Sequence, residues 1–360
     1  MRRIHAAGRS RAAALAILLV AGCSRATAPA IAPATTASPA TAIPSDTTVI
    51  HSPTVAAMIG SVTRAELKPA VDDLSGEAPT VIGHSRYTFA TRNSQSGKGI
   101  DMAERYVYET LQSYGLDSVT YDPYPGVKTP NWVVYPGRNV IGQITGTTKP
   151  DEIVVIGAHM DDVPWSGPAP GADDDASGVS AVLYLAREFA GKSFDRTIRF
   201  AFFNSEENGP WNKKYGMNYG SGYYAAQAKA AGENIVAMIS ADALAYNEGQ
   251  VAEMHTRRPA RATSVGDAAI FTAWRDAITT YGITGLTPIK HPNNLNWSDN
   301  GSFWNNGYPA VLFIEDDSAG RYNHNWHTTG DTVSTFNWPF YLAMTKSLVG
   351  VASHEAGIIS

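Results

Sequence analysis

Four short, largely apolar runs in this chain each lead to a residue able to bind a metal. Ile153–Ala158 is followed by His159-Met160-Asp161, and Thr197–Phe203 by Asn204-Ser205-Glu206-Glu207. Ile235–Ala241 is followed by Asp242, and Ala310–Ile314 by a loop that reaches His327-Thr328-Thr329-Gly330-Asp331. The first run is apolar throughout, as in a strand covered on both faces. Ala237 and Met238 leave a helix open for the third. Between these runs lie stretches with helical spacing: Met102–Tyr114, Ser177–Phe189, Gly220–Ala231, Ala268–Tyr281 and Phe340–Ala352. Strands alternating with helices predict an α/β fold in three layers, with a mixed, largely parallel sheet between helices on both faces. In such sheets the crevice lies beyond the carboxyl ends of the strands. The acids and imidazoles above would therefore converge there.

Between the first two runs sits Pro170-Gly171-Ala172-Asp173-Asp174-Asp175-Ala176-Ser177-Gly178. Each element has an ordinary reading. A histidine after a strand is often packed or exposed, a Glu pair is often solvated, and consecutive Asp residues often cap a helix. Together these readings weaken, because three neighbouring carboxylates repel unless a cation neutralises them. Imidazole with carboxylate is a zinc ligand set.

AHMDD, PGADDDASG, the Glu pair, the Asp after the next strand and HTTGDT resemble, in order and spacing, the co-catalytic two-zinc aminopeptidase family. That family includes secreted bacterial leucyl aminopeptidases and is related to glutamate carboxypeptidase and glutaminyl cyclase. The resemblance covers roughly residues 90 to 355. It implies a zinc-peptidase fold in which His159 and Asp242 bind one zinc, Glu207 and His327 the other, and Asp174 both. Glu206 would be the general base acting on a metal-bridging water. Asp161 would orient the His159 ring, as metal-bound imidazoles require. Two Zn²⁺ against three carboxylates leave the site net positive, which favours a bound hydroxide. A free substrate amine on the zinc of His159 and Asp242 would restrict cleavage to N-terminal residues. His324 is the rival to His327 for the metal, and the Thr-Thr-Gly-Asp-Thr that follows favours His327.

The remaining sequence bounds the setting. Net charge is −5 and no basic stripe appears, so nucleic acid is not an expected partner. No Gly-x-Ser-x-Gly elbow is present. Arg2, Arg3, Arg9 and Arg11 precede a ten-residue apolar run, Ala12–Ala21, too short to span a bilayer. It ends in Val20-Ala21-Gly22-Cys23, which resembles a bacterial lipobox. Residues 1–22 then read as a lipoprotein signal and Cys23, the single cysteine, as the lipidated mature N-terminus. Residues 23–53, rich in Ala, Thr, Pro and Ser, read as a disordered tether reaching up to about 90 Å at a polyproline rise of roughly 3 Å per residue. Residues 54–360 read as one zinc peptidase domain. The expected location is the bacterial cell envelope, with a lipid-anchored catalytic domain in the periplasm or outside the cell.

The pocket is expected to be aromatic, drawing on Tyr246, Trp297, Phe303, Trp304, Tyr308 and Tyr322. Asn208–Asn218 is longer than the turn usual in the family and stands near the expected mouth of the site. Two alternatives differ in chemistry. A carboxypeptidase would grip the substrate carboxylate with Arg257, Arg258 and Arg261; a glutaminyl cyclase of this lineage would use a single zinc, whereas both half-sites are filled here. A tethered binding domain with a vestigial site is the alternative of a different class, and the intact ligands and Glu206 speak against it.

Overall fold

The structure is a computed structural model of the 360-residue chain. It describes residues 48–128, 133–163, 168–207, 218–248, 251–255, 264–291, 296–316 and 321–359. The signal, Cys23 and most of the tether lie outside the described residues, as do Arg257, Arg258, Arg261 and all of Asn208–Asn218 except Asn218.

The folded region begins earlier than composition alone implied. Val49 is buried, and its amide donates to Asp276 Oδ2 at 2.7 Å. Residues 49–53 are thus held by the domain rather than belonging to the tether. Helix α1 (Pro53–Ser61) starts at once, with Pro53 in the first turn and Ser52 Oγ accepting from Val55 N. Then follow α2 (Arg64–Leu74), the hairpin β1 (Thr80–Ile82) and β2 (Ser85–Tyr87), α3 (Lys98–Ser113) and β3 (Ser118–Tyr124). A second small hairpin, β4 (Val127–Lys128) and β5 (Val133–Val134), precedes β6 (Gly137–Ile144) and β7 (Lys149–His159). The alternating part runs α4 (Gly178–Phe189), β8 (Arg196–Phe203), α5 (Tyr219–Ala231), β9 (Asn234–Ala241), β10 (Val251–His255), α6 (Ser264–Thr280) and β11 (Thr287–Lys290). It closes with α7 (Asn300–Asn306), β12 (Val311–Glu315) and α8 (Trp338–Ala356).

Eight strands form one sheet in the order β11-β10-β12-β9-β7-β8-β6-β3. Its centre, β12-β9-β7-β8, is parallel throughout, while β6 runs antiparallel to both its neighbours and β10 antiparallel to β12. The four apolar runs of the sequence are these four central strands. Ile235–Ala241, left open between helix and strand, is β9. Alternation divides their side chains between two cores. Val154, Ile156 and Ala158 pack with α1, α2, α4, α6 and α8 on one face; Ile153 and Val155 pack with α5 and α7 on the other. The result is three layers, α/β/α. Each fully buried aliphatic or Phe side chain contributes about 1.5–3 kcal/mol against exposure, and these central strands supply a dozen or more of them.

Strands β3, β6, β10 and β11 were not marked by sequence periodicity. β3 and β11 are the sheet edges, and each carries a proline, Pro123 and Pro288, at a position that an edge tolerates. β6 contains Gly137 and Gly142. A Cβ on Gly142 would stand 2.7 Å from Leu116 Cδ1, so close packing rather than an apolar run defines that strand.

Glu355, in the last turn of α8, is buried, and burial pushes its carboxyl up to about 7, Arg196 only partly opposing this. The folded state therefore holds this proton more tightly than the unfolded chain. The stability so gained is full below about pH 4 and is lost as pH rises through about 7. Glu355→Gln should stabilise the protein by on the order of 2–3 kcal/mol at pH 8.5, and by much less at pH 5. Denaturant unfolding of the two proteins at both values measures the difference.

Candidate metal centre

The parallel centre of the sheet delivers its carboxyl ends to one rim. His159 is the last residue of β7. Asp242 follows β9, and its amide donates to Phe313 O of β12 at 3.1 Å. Glu206 and Glu207 follow β8 after the turn at Asn204-Ser205. Asp174 arrives on the segment Ala172–Ser177, which opens at Gly171 in the left-handed region and runs into α4 at Gly178, and the Asp174–Asp175 peptide is cis. Ser205, Ala243 and His327 also have positive φ; they account for three of the four such non-glycine residues among those described. Strained backbone of this kind concentrates where neighbouring structure dictates geometry.

The side chains meet in a continuous series. His159 Nε2 lies 3.1 Å from Asp174 Oδ1 and 3.5 Å from Asp242 Oδ1. His327 Nε2 lies 3.1 Å from Asp174 Oδ2 and 2.8 Å from Glu207 Oε1. Two trios follow, His159–Asp174–Asp242 and Asp174–Glu207–His327, each with ligand atoms within 4.8 Å of one another and with Asp174 common to both. Glu206 stands within the same range of His159 and Glu207. His324 does not join them: it is exposed and lies against the ring of Tyr322.

Asp161 acts differently from the sequence expectation. His159 Nδ1 is 3.1 Å from the main-chain oxygen of Asp161, while the carboxylate is 3.8 Å away. That carboxylate instead accepts from the amides of Glu206 and Glu207, at 3.0 and 3.3 Å. It thereby fixes the loop of the Glu pair, and the carbonyl two residues along meets the ring. Three further acids hold the other loops. Asp175 accepts from the amides of His159, Gly178 and Ala243. Asp331 accepts from the amides of Asp173 and Asp174, and Asp173 from the amide of Ala245. Asp175 and Asp331 were visible only as parts of motifs, because the amides they serve, apart from that of Gly178, are 16 to 158 residues away.

The site opens into a cavity of about 480 Å³. Its acidic lining is Asp173, Asp174, Glu206, Glu207, Asp242 and Glu315, with His159 and His327 beside them and no Lys or Arg among the lining residues described. Of the expected aromatics, Trp297 and Tyr322 line it, joined by Trp326, whose ring stacks on His327 with centroids 3.6 Å apart. Phe303, Trp304 and Tyr308 are core residues under α5 and α7, and Tyr246 is half-buried with its hydroxyl on Glu248.

Burial pushes the carboxyls of Glu206 and Glu207 well above the usual range, and their acidic neighbours add to the rise. Burial alone would lower the His159 imidazole, but Asp242 and Asp174 outweigh it and hold it well above its usual value. Asp174 shows the reverse balance: burial would raise it, yet bonds from both imidazoles hold it far below the usual range. Two like charges 4 Å apart repel by about 4 kcal/mol at an effective dielectric of 20. Six acids on one wall therefore call for a cation. Asp174 Oδ2 is buried and faces the His327 imidazole at 3.1 Å. Imidazole and carboxylate are borderline-hard donors suited to zinc, so the residues present fit that metal.

An α/β/α sheet with this acid–imidazole rim defines a zinc metallopeptidase. The chain belongs to peptidase family M28, which matches residues 139–352. A probable zinc metalloprotease of Pyricularia oryzae is 30% identical over 217 residues, which are 56% of this chain and 40% of that protein. The chain thus spans well under two thirds of that relative's length. Leucine aminopeptidase 1 of Arthroderma otae is 26% identical over 334 residues, covering 90% of this chain and 82% of its own. Among solved structures, LapB of Legionella pneumophila superposes with a TM-score of 0.64 at 23% identity, covering 88% and 78% of the two chains. The glutaminyl cyclase of Macrostomum lignano gives 0.67 at 17% identity, covering 86% and 95%. These superpositions establish the fold.

Chelation should lower the melting temperature, and added zinc should restore it. Free zinc at a hundred times its dissociation constant stabilises by about 2.7 kcal/mol, a rise on the order of 5 °C. Calorimetry with chelator, zinc and magnesium measures this; a melting temperature indifferent to all three would contradict a bound structural cation.

Proposed function

We propose that this protein is a dinuclear zinc aminopeptidase. The observation that carries the reading is the pair of ligand trios sharing Asp174, with Glu206 beside them and required by neither. His159, Asp174 and Asp242 would hold one zinc, and Asp174, Glu207 and His327 the other. Such a pair supplies an acidified water and polarises the substrate carbonyl.

The chain's own residues do the remaining work. Burial and its acidic neighbours raise the proton affinity of Glu206, the direction a general base needs. Glu206 takes the proton of the attacking water and gives it to the leaving amine. Asp161 aims it by gripping its amide. The acid-rich wall suits a substrate ammonium, and the rings of Trp297, Tyr322 and Trp326 with Leu312 and Ile314 suit an apolar N-terminal side chain. The name of the Arthroderma otae relative, leucine aminopeptidase 1, agrees with this choice of substrate end.

Glu206→Gln should retain both zincs and lose at least 10²-fold in kcat. Metal analysis and turnover of leucyl-nitroanilide test the two halves separately; full activity in the variant removes Glu206 from the mechanism. N-acetyl-leucyl-nitroanilide should not be cleaved, whereas its cleavage, or release of C-terminal residues from peptides, would point to another exopeptidase chemistry.

The resemblance of Val20-Ala21-Gly22-Cys23 to a lipobox supports a further proposal, that the catalytic domain is tethered to a bacterial membrane outside the cytoplasm. Cys23→Ser should then move the protein from the membrane fraction to the soluble one, and continued sedimentation with membranes would reject the lipid anchor.

A further inference from the structure

Arg92 lies between β2 and α3, outside the residues that match the family. Its side chain is 1% exposed and does not line the cavity. A buried guanidinium is costly unless its N–H groups are used, and here they are. Nε donates to Met160 O at 2.8 Å, Nη1 to Leu74 O at 2.6 Å and Pro170 O at 2.8 Å, and Nη2 to Gly171 O at 3.0 Å. Asp162 stands on the other side: its Oδ2 accepts from the Arg92 amide at 2.6 Å and lies 3.8 Å from Nη1. Thr91 Oγ1 donates to Asp162 Oδ1 and Asn93 Nδ2 to Asp162 O, so the whole 91–93 turn is fastened to the loop after β7.

The carbonyls chosen are what gives this clamp its meaning. Met160 is next to His159. Pro170 and Gly171 introduce the segment that carries Asp174. One rigid planar group therefore bridges the two loops whose side chains meet at 3.1 Å, His159 Nε2 to Asp174 Oδ1. Gly171 has φ of 57°, and a Cβ there would stand 2.7 Å from Arg92 Nη2, so the glycine leaves room for the guanidinium.

We propose that Arg92 is a positioning residue for the metal centre, setting the spacing of the His159 and Asp174 loops from beneath; the proposal rests on the dinuclear zinc reading above. Lysine would keep the charge beside Asp162 but offers a single point with three donors, and it cannot span Met160, Pro170 and Gly171 together.

The test is zinc affinity of the full folded chain, by competition with a chromophoric chelator, beside thermal unfolding and steady-state kinetics. Arg92→Lys should bind zinc about 10- to 100-fold more weakly at one site, with kcat falling more than KM. Arg199→Lys is the control for a purely structural loss. Arg199 is also largely buried and pairs with Glu233 and Tyr224, away from the rim. It should lose stability with unchanged zinc affinity. If Arg92→Lys behaves like that control, destabilised but binding zinc as the wild type does, the proposal is wrong. Should Arg92→Lys fail to fold, Asp162→Asn, which removes the facing charge, is read by the same two outcomes. A wild type that takes up fewer than two zinc ions instead defeats the dinuclear reading, and the Arg92 proposal with it.

Discussion

Mutual repulsion among buried carboxylates is the constraint around which this molecule is organised. Six acids face one cavity beyond the carboxyl ends of β7, β8, β9 and β12. Without a cation, Asp242 and Asp174 hold the His159 imidazole well above its usual value despite its burial, and the imidazoles beside Asp174 hold that carboxyl far below the usual range. Bound divalent cations would resolve the same conflict more completely, with neutral imidazoles as ligands. Folding of the rim and metal binding are in this sense one equilibrium.

A second set of acids makes the first set possible. Asp161, Asp175 and Asp331, joined by Asp173 of the cavity lining, aim their oxygens at backbone amides. Each accepts from a loop distant in sequence, so the loops after β7, β8 and β9 and before α4 are tied to one another through carboxylates. Satisfying orphan amides at strand and helix ends is an ordinary requirement of folding. Here the same bonds fix where the outward-facing ligands point. Arg92 extends the arrangement with opposite polarity, serving carbonyls where the aspartates serve amides.

The cavity combines this acidic floor with an aromatic wall. Trp326 precedes His327 and stacks on its ring, so the residue that shapes the apolar side also restrains an imidazole of the metal centre. Recognition of an apolar side chain and placement of the reacting group are thereby coupled through one short loop.

Sequence alone determined the local chemistry. A fully apolar run marked β7 and largely apolar ones β8, β12 and, with a helix left open, β9; helical spacing marked α3, α4, α5, α6 and α8, and the acids and imidazoles after the strands named the candidate ligands. Those signals are legible because burial on both faces, or on one stripe, constrains residue type directly. Tertiary structure decided what depends on partners far along the chain. It separated His327 from His324 by burial, and sent Phe303, Trp304 and Tyr308 to the core while leaving Trp297, Tyr322 and Trp326 at the cavity. It turned the Asp161 carboxylate away from the imidazole toward the Glu206 and Glu207 amides. It attached residues 49–53 to the domain, and it gave the outer strands β3, β6, β10 and β11 their register. A carboxylate or guanidinium has the same sequence signature whether it binds a metal, holds an amide or faces water. Only the groups that folding brings within about 3 Å of it settle which of these it does.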